Sequence, residues 1–203
     1  MDEDRQQAIR EALFCEQILA KGSQNVVLET LRDAPGVETW AHYPPGDVYD
    51  RESGAQWYYH CHDTSAQMGE HGHFHCFIRP NGGEGPIHHL VAIGVDPYGR
   101  LVRLFTVNQW VVADNWAPAE DLIPLLPRFD VQMPRPSYLV NRWISAILRT
   151  YAPEIEQLMR DRDATVAAHQ PPQGVSVYED RSLEVTSELR TDLPSKASAL
   201  GLA

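Results

Sequence analysis

The sequence predicts an α+β domain: an antiparallel β-meander of four or more strands, flat or curled, with N- and C-terminal helices packed on its apolar face. Three observations lead there. Helical spacing of apolar residues marks both ends of the 203-residue chain. Between residues 55 and 110 the period changes to two. Gly and Pro clusters cut that middle region into strand lengths.

Residues 4 to 21 carry Ile9, Ala12, Leu13, Glu16 and Leu19 at helical spacing, with acids at the start and Lys21-Gly22 at the stop. A shorter helix is expected near Gln24 to Leu31. HYPPGDVYD, residues 42 to 50, reads as a loop, because its prolines and glycine oppose regular structure. QWYYHCH, HGHFHCFIR, HHLVAIGV and LVRLFTVNQW are strand-length runs rich in β-branched and aromatic residues. PNGGEGP and DPYGR separate the later ones, the second with Pro97 and Gly99 suited to a hairpin turn. Pro118 to Leu126 reads as a short helix or turn. Ser137 to about Ala152 is a helix with the stripe Val140, Trp143, Ile144, Ile147, Leu148 and Tyr151. Pro153 breaks or restarts it, and a further helix runs to about His169. Residues 1–170 form the expected domain. Residues 171–203 read as an extension, with VSVYED and SLEVTSE as short edge strands and SKASALGLA as a loose tail.

A formal charge of −11 repels phosphate backbones, so nucleic acid is not an expected partner. No apolar run is long enough for a bilayer. The opening MDEDRQQAIR lacks the basic and apolar regions of a secretory signal, and Cys15, Cys61 and Cys76 read as reduced thiols; a cytoplasmic protein is expected. A Cys61–Cys76 bridge would need an oxidising compartment.

HCHDTSAQMGEHGHFHCF, residues 60 to 77, holds five of the nine histidines. Residues two apart on a strand share a face. Trp57, Tyr59 and Cys61 on one strand, and Phe74, Cys76 and Ile78 on the next, belong to a common apolar face. That register leaves Tyr58, His60, His62, His71, His73 and His75 on the other face. In such a register His60 can oppose His73, with His62 near His71 and His75 near Tyr58. Clustered neutral imidazoles each carry a lone pair, and one divalent cation satisfies several at once. The expected ligands are His60, His62, His73 and His75, holding a divalent transition metal: Fe, Zn, Cu or Ni. Asp63, Glu70 and Glu84 are candidates to accept the remaining ring N–H groups. The metal-free alternative is a polar or substrate-binding sheet face. The roles of His42, His71, His88 and His89 stay open, since only one of the last two can share the cluster's face.

Two chemistries fit such a site. With an open position the metal could activate dioxygen, or it could activate water with Glu70 as base. Tyr58, on the histidine face, is the candidate catalytic phenol. Trp40, Tyr43, Tyr49, Tyr58, Trp110 and Trp116 could wall a pocket for a small organic substrate or fill the core. The rival classes are a non-catalytic metal- or ligand-binding protein and a surface tuned by histidine protonation. No Walker loop, G-x-S-x-G, H-E-x-x-H or C-x-x-C is present.

The His-x-His strands are locally similar to those of cupin-type barrels and carbonic anhydrases. A cupin pattern would place a Glu a few residues after the His pair; here Asp63 follows directly and Glu70 precedes the second cluster. Neither activity carries over. HYPPGDVYD, WYYHCHD, EHGHFHCF and NQWVVADNW together resemble a group of uncharacterised bacterial proteins sharing a His-rich domain of unknown function. The likeness covers most of residues 5 to 170. It implies a single bacterial domain and supplies no activity.

Overall fold

The computed structural model describes residues 2–61 and 69–202. Helices α1 (Asp2–Lys21) and α2 (Val26–Leu31) lead into β1 (Tyr43–Tyr49), β2 (Ala55–Cys61), β3 (Gly72–Ile78), β4 (His88–Val95) and β5 (Leu101–Val107). Short helices α3 (Gln109–Val112) and α4 (Ala119–Leu122) and a 3-10 turn (Ile123–Arg128) connect to α5 (Tyr138–Thr150) and α6 (Ala152–Ala168). Strand β6 (Val185–Arg190) and helix α7 (Leu193–Ala199) close the chain. The strands lie in chain order in one open antiparallel sheet, with β1 and β6 at its edges. The α+β class is as the sequence predicts.

The expected register between the two histidine strands is the one observed. Tyr58 faces His75 and His60 faces His73, while Trp57 faces Cys76 and Tyr59 faces Phe74. The odd-numbered residues of β2 and the even-numbered ones of β3 enter the main core with the α5 residues Val140, Trp143, Ile144, Ile147 and Leu148. Burial on this face supplies the main driving force, at roughly 25 cal/mol per Å² of apolar surface. Asn141 is the polar exception within that core. It accepts from Trp57 Nε1 at 3.0 Å and donates from Nδ2 to the carbonyls of Met133 (2.8 Å) and Arg135 (3.1 Å). Cys61 lies opposite Gly72 and Cys76 opposite Trp57, so the two thiols cannot bridge, and all three cysteines are free and buried.

Three segments differ from expectation. HYPPGDVYD is no loop: Tyr43–Tyr49 is the edge strand β1. Its ladder is irregular between Tyr43 and Val48, and Pro44 and Pro45 fall inside that irregular stretch, where their missing N–H groups cost no regular pairing. VSVYED is no strand but contains a 3-10 turn, Val177–Glu179. SKASALGLA is no loose tail, because α7 is capped by the Asp192 side chain and buries Leu193 and Ala197 in the main core. SLEVTSE does yield a strand, β6, which pairs with β5. The chain beyond residue 170 therefore completes the sheet.

Candidate metal centre

Ring nitrogens of His60, His73 and His75 all lie within 4.8 Å of one another, and all three residues are buried. The rings meet edge to face, with centroids 4.3 Å apart for His60–His73 and 4.6 Å for His73–His75. Two ligands of one tetrahedral ion with 2.0–2.1 Å bonds stand about 3.3 Å apart. Small ring rotations would therefore draw the triad onto an ion. This triad could hold a metal.

Side chains behind the rings fix their orientation. His73 Nδ1 lies 2.9 Å from Glu70 Oε1, and His75 Nδ1 lies 3.1 Å from His89 Nε2. With a proton on each Nδ1 donated to these acceptors, Nε2 of each ring keeps its lone pair for a cation. A carboxylate behind a ligating imidazole is a recurrent metal-site arrangement. His75 Nε2 is buried and makes no hydrogen bond among the described residues. Whichever tautomer His75 adopts without an ion, that ring leaves a buried polar atom unsatisfied, at about 1–3 kcal/mol. Burial, then the neighbouring imidazoles, push the His75 pKa well below its ordinary value, so the ring is neutral and able to ligate.

Glu70 itself is clamped. Arg103 donates to both of its oxygens, from Nη2 to Oε1 at 3.1 Å and from Nε to Oε2, and Arg103 Nη1 reaches Glu188 at 2.6 Å. Burial opposes ionisation of Glu70, but the bonds from His73 and Arg103 outweigh it and hold the carboxyl below its usual range. Gly94 sits between His73 and Arg103 in the cross-strand row. A Cβ there would come within 2.6 Å of Glu70 Oε2, so any side chain at this position would push the carboxylate aside.

Two of the three, His60 and His73, form the floor of a cavity of about 400 Å³, and His75 lies buried behind them. His60 and His73 line it together with Trp40, His42, Tyr58, Val107, Trp110, Val111, Arg181 and Glu184. Tyr58 is nearly fully buried and stacked on His42, with ring centroids 3.6 Å apart. Burial, then Asp47 and Asp114, raise its pKa, so the phenol stays protonated. His42 in turn meets Asp47 at 3.0 Å.

Of the expected ligands, His60, His73 and His75 come together; His62, like Asp63, lies outside the described residues. Tyr58 lines the cavity, whereas Glu70 stands behind His73 and is not among the lining residues. His71 turns away, with Nδ1 2.5 Å from Tyr59 Oη on the core side. Sequence reasoning left His88 and His89 open because the register across PNGGEGP is not fixed by the pattern, and the structure resolves it through a bulge. A regular ladder would put His89 on the core face. Instead Cys76 pairs with Val91 and Phe77 with His89, and the skipped Leu90 joins the core. The bulge turns His89 toward His75. His88 points elsewhere, its Nδ1 2.5 Å from the carbonyl of Asn115. Trp40, Tyr58 and Trp110 do wall the cavity, whereas Tyr43 bonds the loop at Gly36 and Glu38, and Trp116 packs under Arg162. Sequence reasoning missed Arg103, Arg181 and Glu184. The last two lie in the segment read as an extension, and only its pairing with β5 brings them to the site.

A family model described as "Domain of unknown function (DUF6969)" matches residues 6–191. No curated protein and no solved structure matches the chain. Among the described residues no helix is long and apolar enough to cross a membrane. The chain belongs to the DUF6969 family.

Proposed function

We propose that this DUF6969 member is a metal-dependent enzyme in which His60, His73 and His75 hold one divalent transition metal, with dioxygen activation as the favoured chemistry. The observation that carries this reading is the buried, unbonded Nε2 of His75 beside two further imidazoles at the floor of a cavity. Three imidazoles leave coordination positions open, as catalytic rather than closed structural sites do. The cavity supports a catalytic over a purely structural ion, because it offers those positions a way to meet a small organic substrate.

Redox chemistry is favoured over hydrolysis by the state of Glu70. A carboxylate held below its usual pKa and bonded to His73 and Arg103 is a poor base at neutral pH. Glu70 is a positioning residue for His73. Among the described residues the carboxylate lining the cavity is that of Glu184, exposed on the rim. An Fe or Cu ion held by imidazoles would supply dioxygen binding, with substrate as the source of electrons. Tyr58, protonated and on the cavity wall, donates a hydrogen bond to what binds there. Three reduced, buried cysteines accord with a cytoplasmic setting, which is part of the same proposal.

The test is anaerobic loading of untagged protein with Fe(II), elemental analysis, and addition of nitric oxide. One equivalent of iron giving a high-spin iron–nitrosyl EPR signal, lost in His73→Ala/His75→Ala, is expected. Bound iron with no nitrosyl signal would mean a closed, non-catalytic site. Oxygen uptake by the loaded protein then separates the redox reading from the hydrolytic one.

A further inference from the structure

Arg181 and Glu184 stand out on the cavity rim. They sit three residues apart on the segment that leads into β6, both exposed and both lining the cavity. No ion pair joins them, and among the described residues neither forms one with any other side chain. Other arginines among these residues also stand without a carboxylate, and what sets Arg181 apart is its place on the cavity rim. That place is defined. The guanidinium carbon lies 4.9 Å from the centroid of the Trp110 ring, and Trp110 is tied by Nε1 to the Leu183 carbonyl at 2.9 Å. The segment is anchored again where the Glu184 carbonyl accepts from Asn108 N at 2.8 Å. Between this charged rim and the imidazole floor the walls are Trp40, Tyr58, Val107 and Val111.

We propose that this cavity binds a small zwitterion, an α-amino acid or close analogue with an apolar body, with Arg181 taking the carboxylate and Glu184 the ammonium. This deepens the proposed function and rests on the triad being the reactive end of the cavity. A neutral ligand would cover both rim charges without replacing their water. A simple carboxylate would be held by Arg181 but repelled by Glu184, and a simple amine the reverse. A molecule carrying both charged groups on one carbon satisfies both residues, and its side chain points into the aromatic and aliphatic wall. The volume, about 400 Å³, is in the range of small-molecule sites. Arginine suits the carboxylate because its fork donates two parallel bonds.

The experiment is isothermal titration calorimetry on metal-loaded full-length protein. The probes are L-phenylalanine, L-leucine and L-methionine, each beside its deaminated acid and its decarboxylated amine. Metal content is measured on the same samples. At least one amino acid is expected to bind about tenfold or more tighter than both of its counterparts. Arg181→Gln should cost it about tenfold or more. Glu184→Gln should weaken the amino acid while improving the deaminated acid, a reversal that misfolding would not produce. Equal binding of the three ligand types, no binding of any amino acid, or unchanged selectivity in both variants would overturn the proposal. Amino-acid selectivity in protein that takes up no metal would keep this inference and sink the metal reading. Metal uptake without selectivity would do the opposite.

Discussion

Removing the carboxylate behind His73 should weaken metal binding without emptying the site. Glu70 Oε1 lies 2.9 Å from His73 Nδ1, and Arg103 spans both carboxylate oxygens. Loss of such an outer acceptor typically costs 10–100-fold in metal affinity, about 1.4–2.8 kcal/mol. Glu70→Ala removes both acceptor and charge, and leaves Arg103 with Glu188 alone, so the upper end of that range is expected. Glu70→Gln keeps an oxygen for His73 but sets an amide against Arg103, and the lower end is expected. Gly94→Ala, whose methyl would collide with Glu70 Oε2, should fall between them. His71→Ala is the control, because that ring bonds Tyr59 on the core side; its effect should stay within about twofold. The assay is competition for Zn(II) against a chromophoric chelator, on variants shown by circular dichroism to be folded. Wild-type affinity in folded Glu70→Ala, or an equal loss in His71→Ala, would refute this assignment of Glu70.

Other outcomes follow from the packing. Asn141 is fully buried and bonds Trp57 Nε1 and two carbonyls. Asn141→Ala should cost about 3 kcal/mol or more, since each buried orphan costs about 1–3; a shift of the urea midpoint measures it. Phe74 is fully buried against Trp57, Tyr59 and Trp143. Phe74→Ala should cost about 3–5 kcal/mol in the same assay. Burial opposes ionisation of Asp130, but bonds from Gln132 and Arg142 outweigh it and hold the carboxyl below its ordinary 3.8. A depressed carboxylate stabilises the fold above that ordinary value, and the contribution is lost as pH falls through the lowered one. Asp130→Asn should therefore be less stable than wild type near neutral pH, with the gap closing below pH 3.8 in acid titrations followed by circular dichroism.

The parity of the register between the two histidine strands was legible because alternation on both strands demanded it. Six apolar residues share one face only in registers of one parity, and the pairing of His60 with His73 and Tyr58 with His75 is the one of these that forms. The order of the middle strands followed from turn residues such as Pro97 and Gly99. What stayed hidden depends on tertiary context. Pro44 and Pro45 argue for a loop until an edge position removes their penalty. His89 reaches His75 through a bulge at Leu90, which no local pattern announces. Helix α7 has few apolar residues, and only the core waiting for Leu193 and Ala197 gives it a reason to form. Arg181 and Glu184 reach the cavity because β6 adds to the far edge of the sheet, some 120 residues along the chain from His60.

The most direct test is anomalous diffraction from crystals of the protein loaded with a transition metal, recorded at that metal's absorption edge. A single strong peak about 2.0–2.2 Å from one ring nitrogen each of His60, His73 and His75, open on the cavity side, is the expected result. A peak bound elsewhere, or none at saturating metal, would contradict it.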